Sequence, residues 1–293
     1  MKNKIYDRKN NKYIYEQNNK SLIFLYNTVI GRALLKILNK PFISKACGIY
    51  MNSKISKTMI KRFIKKHKIN EEKIISNGLD NYCCFNDFFS RKYDNIKFSK
   101  QSKYFISIAQ SRLLVYKIDE ELKLNVKDTI YSLEELLKDK KLANQYKNGL
   151  CLIFRLIPSD YHRYIYPDNG TEKENKKIQG VLHTVKPISG SKYKVYKENS
   201  REYSVLCMEN LGEIIQMEVG ALLVGKIVNY HKEKFIKGEE KGYFQFGGST
   251  VILIIKDNII KIDNDISEMS KNGIETLVDI GETIGEVIDK TEQ

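Results

Sequence analysis

Residues 241–255 read Lys-Gly-Tyr-Phe-Gln-Phe-Gly-Gly-Ser-Thr-Val-Ile-Leu-Ile-Ile in this chain of 293 residues. The apolar run at 251–255 predicts a strand that is buried on both faces. The glycine pair before Ser249 tolerates backbone conformations that other residues avoid. A hydroxyl that directly follows such a glycine can approach the carbonyl of Gly248, so the stretch predicts a place where the chain cuts its own backbone.

The chemistry of such a cut starts from the Ser249 hydroxyl. Attack of its Oγ on the Gly248 carbonyl gives an ester, and elimination of that ester leaves a pyruvoyl group at residue 249. A pyruvoyl carbonyl forms a Schiff base with a substrate amine and acts as an electron sink. The alternative is a plain turn before a strand, which is what Gly-Gly-Ser-Thr usually forms.

The segment Gly238–Thr250 resembles the processing site of phosphatidylserine decarboxylase proenzymes. Five other segments resemble blocks of the same family, in the same order: Phe85–Lys92, Ser159–Arg163, His183–Val185, Glu198–Glu202 and Glu218–Ala221. The resemblance extends over about residues 20 to 290, and several motifs in register make it specific.

The resemblance implies a role for particular residues. Ser249 would be the self-cleavage nucleophile and then the pyruvoyl cofactor, and Gly248 would supply the cleaved carbonyl, giving a β chain of residues 1–248 and an α chain of 249–293. His162 would donate a proton to the substrate carbanion, and Asp160 would orient the His162 ring. The implied reaction converts phosphatidylserine to phosphatidylethanolamine and carbon dioxide without a metal or a diffusible cofactor.

Two positions depart from the family pattern. Gln110 stands where the family has the aspartate of a charge-relay triad, and Ile165 stands where it has the triad histidine. Neither side chain can replace the residue that is lost. Two interpretations follow: an enzyme in which another histidine (His162, His183 or His231) serves as base, or a degenerate homologue that binds lipid or regulates a partner.

The positive charge is concentrated near the N-terminus: residues 1–70 hold 17 Lys/Arg and 2 acidic residues, whereas residues 71–293 hold 33 and 34. An amphipathic helix is predicted within residues 21–40, with Arg32 and Lys36 on its polar side. These features favour a peripheral protein on an anionic phospholipid membrane, at the cytoplasmic face. Packing of the helix against the protein core is the alternative. Nucleic-acid binding is unlikely because no recognition motif is present.

We predict an α+β fold, with a basic helical region over residues 1–78 and a β-rich core over residues 79–293. Ser132 followed by Glu135 predicts the capped start of a short helix. The five cysteines lack metal-ligand spacing and favour a reducing cytoplasm, and the polar first twenty residues predict no signal peptide. The predicted strands are Leu113–Ile118, Cys151–Ile157, Glu213–Val219, Ala221–Val228, Val251–Ile255 and Ile259–Ile262.

Overall fold

The computed structural model describes residues 2–17, 20–69, 78–126, 129–184, 195–221, 226–247 and 249–289. The fold is α+β, as predicted from the sequence. The α-helices are α1 (Lys20–Asn27), α2 (Val29–Leu38), α3 (Pro41–Met51), α4 (Met59–His67), α5 (Phe85–Phe89), α6 (Leu133–Leu137), α7 (Lys140–Ala143), α8 (Val195–Glu198) and α9 (Asn264–Lys271). Short 3₁₀ helices cover Lys54–Thr58, Leu79–Asn81 and Asn144–Tyr146.

Two strands precede the N-terminal helices, and the other strands follow them. They are β1 (Lys2–Asp7), β2 (Lys12–Gln17), β3 (Tyr104–Ile106), β4 (Ser111–Lys117), β5 (Lys123–Val126), β6 (Thr129–Ser132), β7 (Leu150–Leu156), β8 (Arg163–Ile165), β9 (Gly170–Ile178), β10 (Arg201–Met208), β11 (Gly212–Val219), β12 (Ile227–Asn229), β13 (Lys234–Phe235), β14 (Glu240–Phe244), β15 (Ser249–Ile255), β16 (Ile260–Ile262), β17 (Glu275–Val278) and β18 (Thr283–Val287).

One ten-stranded sheet organises the molecule, in the order β13-β9-β10-β11-β15-β7-β4-β17-β1-β2. Only β1 and β17 pair in parallel in this sheet, and the other described neighbours are antiparallel. Strand β15 lies between β11 and β7, and all seven of its residues are buried. This position explains its continuous apolar sequence, because both faces of a central strand are covered.

The large sheet is covered on both faces. On one face, Val251 and Leu253 pack with β8, β14 and the small β16-β18-β3 sheet in the largest apolar cluster. On the other face, Ile252 and Ile254 pack with residues of α6 and α7. Successive side chains of a strand alternate between faces, so Ser249 shares the face of Val251 and Thr250 shares that of Ile252.

The N-terminal region differs from the prediction in one respect. Residues 2–17 were predicted to be helical, but they form the β1-β2 hairpin at the edge of the large sheet. The error has a physical cause. The aromatic and β-branched residues Tyr13-Ile14-Tyr15 of β2 favour a strand, and β1 pairs with β17, which lies at the far end of the chain. The predicted end of the helical region near Asn77 lies outside the described residues.

The helix predicted within residues 21–40 is two helices, α1 and α2, bent by 99° at the Thr28 break. Thr28 caps α2, because its Oγ1 accepts a hydrogen bond from the Gly31 N–H at 2.9 Å. None of the single helices in the described part of the chain has the length and apolarity needed to span a membrane, whereas the bent pair meets that criterion by length and composition.

Most of the predicted strands are present. Five of the six correspond to β4, β7, β11, β15 and β16 within one or two residues. The sixth, Ala221–Val228, overlaps β12 at residues 227–228, and residues 222–225 lie outside the described residues. The predicted helix cap is also present, since Ser132 Oγ accepts from the Glu135 N–H at 3.5 Å.

Candidate active site

One edge of the large sheet gathers the residues selected from the sequence. The carboxyl ends of β7, β11 and β17 meet the amino ends of β4 and β15 there, because each of these strands runs antiparallel to its neighbour. Gln110 precedes β4, the 157–162 loop follows β7, and Ser249 begins β15. Residues far apart in sequence are therefore neighbours at this edge.

Ser249 is fully buried, with 0% of its surface exposed, and pairs with Leu156 of β7. Its Oγ atom has no hydrogen-bond partner among the described residues. Gly247, two residues before Ser249, has a φ of +144°, a backbone conformation that residues other than glycine rarely adopt. Gly248, predicted to supply the cleaved carbonyl, lies outside the described residues. Ser44, Ser111, Thr250 and Thr276 also have buried hydroxyl groups without a partner in the described part of the chain, so it is the position of Ser249 directly after two glycines that marks it as a candidate nucleophile.

His162 lies against the segment that leads into Ser249. Its backbone carbonyl accepts a hydrogen bond from the Phe244 N–H at 3.0 Å, and its ring packs against Phe89 at a tilt of 37°, with centroids 4.1 Å apart. Burial lowers the pKa of His162 to about 3, and the backbones of Asp160 and Gly247 oppose that shift. The ring is therefore neutral near pH 7, and the same burial makes it a weaker base than an exposed histidine.

Asp160 orients His162 through its backbone. The Asp160 carbonyl oxygen is 2.9 Å from His162 Nδ1, so Nδ1 carries the hydrogen and Nε2 keeps its lone pair. The Asp160 carboxylate instead forms a buried ion pair with Arg112 and accepts the Ile157 N–H at 2.7 Å. Burial raises the pKa of Asp160, and the guanidinium of Arg112 opposes that rise.

The two substituted triad positions have different surroundings. Gln110 is partly buried; its Nε2 donates to Asp279 Oδ1 at 2.9 Å, and its Oε1 accepts the Tyr161 N–H at 2.8 Å. Ile165 is buried in the apolar cluster, and its backbone N–H donates to the Ile108 carbonyl at 3.0 Å. A cavity of about 780 Å³ opens beside Gln110 and Asp279.

The other two histidines considered as substitute bases have partners elsewhere. His183 contacts Asn39, with 3.0 Å between its Nδ1 and the amide nitrogen, and it is close to Tyr26 of α1. His231 lies between Glu172 and Glu202, with 3.1 Å from a ring nitrogen to each carboxylate. Of these histidines, His162 is the one whose ring adjoins the Gly247 backbone.

Several residues of the site were missed from the sequence. Asn86 Oδ1 accepts the Phe246 N–H at 2.9 Å, and the Phe246 ring packs edge-on against Phe85 and Phe89, with centroids 5.2 and 5.3 Å apart. These α5 residues lie in a block that resembles the family, which was the available signal. Asp279 had no such signal, because its role depends on a hydrogen bond across 169 positions of sequence.

No cluster of three or more His, Cys, Asp or Glu side chains suited to a metal ion is found in the parts of the chain that the structure describes.

Comparison with known proteins defines the class. The sequence model of the family described as phosphatidylserine decarboxylase matches residues 85–286. The chain belongs to the phosphatidylserine decarboxylase family, whose members are carboxy-lyases. The resemblance predicted from the sequence is thus confirmed.

Three relatives match almost the whole chain. A protein named phosphatidylserine decarboxylase proenzyme 2 from Clostridium acetobutylicum is 51% identical over 290 residues, covering 97% of this chain and 99% of the relative. The proenzyme from Clostridium botulinum strain Hall is 45% identical over 296 residues, covering 96% and 98%. That from Ruminiclostridium cellulolyticum is 42% identical over 295 residues, covering 98% of each.

Proposed function

We propose that this chain cuts itself between Gly248 and Ser249 and then decarboxylates phosphatidylserine to phosphatidylethanolamine. The observation that carries the proposal is the buried, unpartnered Ser249 hydroxyl at the start of the central strand, beside the segment contacted by a neutral histidine. The relatives support it, since their names describe proenzymes of this decarboxylase.

Self-cleavage begins when His162 Nε2 accepts the proton of Ser249 Oγ while Oγ bonds to the Gly248 carbonyl carbon. The peptide C–N bond then breaks, and the Ser249 nitrogen takes up the proton, which leaves an ester. Loss of the Ser249 Cα proton breaks the Cβ–O bond and releases Gly248 as a carboxylate. Water then replaces the nitrogen, which departs as ammonia.

A pyruvoyl group at residue 249 fits the site, because Ser249 Oγ lies buried without a competing hydrogen-bond partner among the described residues. Such a group supplies a carbonyl that binds the substrate amine and accepts the electron pair released with carbon dioxide. His162, whose ring adjoins the Gly247 backbone, is the group that would return a proton to the product. Phe89 packs against the His162 ring, and Phe85 and Phe246 pack with Phe89, so this aromatic cluster excludes water from that side of the imidazole.

Intact mass of the purified protein tests self-cleavage. The wild type should give two chains, 1–248 and 249–293, with the smaller blocked by a pyruvoyl group. Ser249→Ala should give one chain. Thr250→Ala is the matched control, because Thr250 Oγ1 is also buried and unpartnered but faces the other side of the sheet, and it should be cleaved.

Carbon dioxide release from phosphatidylserine in detergent micelles tests the second step. The cleaved wild type should release it, and Ser249→Ala should not. A folded wild type that stays in one piece would refute the proposal. That result would favour the second candidate function, a homologue without catalysis. The burial of Ile165 in apolar surroundings is the observation that supports this candidate.

We further propose that the protein works on an anionic phospholipid surface, bound through its N-terminal helices. Val29 and Ile30 of α2 are 75% and 73% exposed, and Phe42 of α3 is also exposed. Arg32 and Lys36 lie on the same helix. Apolar side chains next to basic ones suit the interface of an anionic membrane. Tyr26 and Leu35 are buried, so only part of the predicted apolar face packs on the protein.

Flotation with vesicles tests membrane binding. The protein should float with phosphatidylcholine vesicles that contain phosphatidylserine and float less with phosphatidylcholine alone. The double variant Val29→Asp/Ile30→Asp should lose binding to both kinds of vesicle. Tyr15→Asp is the control, because Tyr15 is exposed on β2, outside the helices, and should leave flotation unchanged. Equal flotation of all variants would refute the helix as the contact surface.

A further inference from the structure

The side-chain amide of Gln110 is a bridge with a fixed direction. A carboxylate such as Asp279 only accepts hydrogen bonds, and the Tyr161 N–H only donates. The amide must therefore turn its NH₂ to Asp279 and its oxygen to Tyr161, with distances of 2.9 and 2.8 Å. An aspartate at position 110 would face the Asp279 carboxylate without a hydrogen to share.

The bridge continues into the backbone and ends at the imidazole. Tyr161 N–H belongs to the same peptide group as the Asp160 carbonyl, and that carbonyl accepts the His162 Nδ1 hydrogen at 2.9 Å. Two amide groups thus lie between Asp279 and His162. All three hydrogen bonds run in one direction, with each donor pointing toward the carboxylate. Aligned hydrogen bonds polarise one another, which favours a positive charge on the imidazole, whereas Arg91, whose Nη2 donates to the same Asp160 carbonyl at 3.3 Å, opposes that charge.

We propose that Asp279 supplies the negative charge that the family places at position 110. The charge reaches His162 Nδ1 through the Gln110 amide and the 160–161 peptide group. Asp279 and Gln110 are positioning residues in this relay. They hold the tautomer of His162 that leaves Nε2 as the proton acceptor, and they stabilise the imidazolium that forms when Nε2 takes the Ser249 proton. The inference rests on the proposed self-cleavage.

An exchange of charge between the two positions tests the relay. Gln110→Glu has the same length as the native residue, and Asp279→Asn turns the other end into an amide. The double variant keeps every hydrogen bond and moves the charge one amide closer to His162. Each single variant breaks the pattern: Asp279→Asn removes the charge, and Gln110→Glu sets two carboxylates against each other.

The measurement is the first-order rate of precursor loss, followed by intact mass after synthesis in a cell-free system. We expect each single variant to slow cleavage about 10-fold, less than the loss of a general base itself, and the double variant to cleave within about 3-fold of the wild type. Glu282→Gln is the control, because the Glu282 carboxylate accepts the Asp279 backbone N–H at 2.8 Å but lies outside the relay. It should cleave at the wild-type rate.

The outcomes separate the two proposals. A wild type that is never cleaved overturns the proposed function. A cleaved wild type with an Asp279→Asn variant that is folded, as judged by its thermal unfolding midpoint, and equally fast overturns the relay alone. The relay is also overturned if the double variant regains the thermal unfolding midpoint of the wild type but is cleaved as slowly as the single variants. The hydrogen bonds would then be restored, and the carboxylate at position 110 would have no effect on cleavage.

Discussion

Gln110 and Ile165 occupy the two positions that we interpret as substituted triad positions, and their surroundings differ. Gln110 holds a polar loop, with hydrogen bonds to Asp279 and Tyr161. Ile165 lies in a packed apolar cluster on the short strand β8. Polar groups converge around the first position, whereas apolar side chains cover the second.

The difference shows that the two substitutions have different physical consequences. On that interpretation, an amide in place of an acid at position 110 keeps a polar role, and the proposed relay assigns the charge to the neighbouring Asp279. Replacement of a histidine by isoleucine at position 165 exchanges chemistry for packing. His162 is then the remaining histidine beside the segment that enters β15, and its loop is held by residues near position 110. Four stability experiments test this contrast, all in a Ser249→Ala background that keeps the chain intact.

Arg112→Met should have the largest effect. It removes the partner of the buried Asp160 carboxylate and leaves an unpaired charge under the 157–162 loop. We expect the free energy of unfolding in urea to fall by about 3–5 kcal/mol. The double variant with Asp160→Asn should recover more than half of the loss. A loss below about 1 kcal/mol would show that the ion pair does not hold the loop.

Ile165→His should come second. It removes apolar burial and places an imidazole in apolar surroundings, which should cost about 2–4 kcal/mol of unfolding free energy. Ile165→Val is the control and should cost about 0.5–1.5 kcal/mol. The contrast between the two positions would break down if Ile165→His were as stable as the parent and, with Ser249 restored, accelerated cleavage.

Gln110→Leu should cost less. The two side chains are similar in size, but the leucine leaves the Tyr161 N–H and the Asp279 carboxylate without the bridging amide. Loss of such partners is expected to lower the free energy of unfolding by about 1–3 kcal/mol. Amide hydrogen exchange at Tyr161 should become faster in the variant. Unchanged exchange would show that the bridge does not fix the loop.

Over the single pH unit from 6.5 to 5.5, the pH dependence of stability should show the smallest effect, about 1 kcal/mol. Burial holds the pKa of His162 at about 3 in the folded state, below its ordinary value of 6.5, so the unfolded chain binds the extra proton between these values. The contribution of the neutral His162 ring to the free energy of unfolding is complete above pH 6.5. It is lost as the pH falls from 6.5 toward 3, by up to about 1.4 kcal/mol for each pH unit. His162→Gln should flatten this slope. Equal slopes for the two proteins would contradict the buried neutral ring.

The sequence was most informative where the structure is locally determined. The apolar runs that became β4, β7, β11 and β15 were identified because a central strand must be apolar on both faces. The family-like blocks selected Ser249 and His162, and both lie at one edge of the sheet. The β1-β2 hairpin was missed because its stability depends on pairing with β17, more than 200 residues away.

The order of the strands and the partners at their ends could not be predicted from one sequence. Asp279 follows a short strand near the C-terminus and carries no local signal of a role. The antiparallel pairing of β17 with β4 brings it to Gln110. The carboxylate of Asp160, expected to orient His162, turns to Arg112, and its backbone carbonyl does the orienting instead.

The sequence by itself determined the family, the α+β class, the buried central strand and the serine that follows two glycines. These depend on residue type and local spacing, which the chain carries directly. Only the tertiary structure decided which groups surround that serine, which tautomer His162 adopts and where the negative charge lies. Hydrogen bonds and burial are set by contacts between distant segments, and those contacts exist only once the sheet has formed.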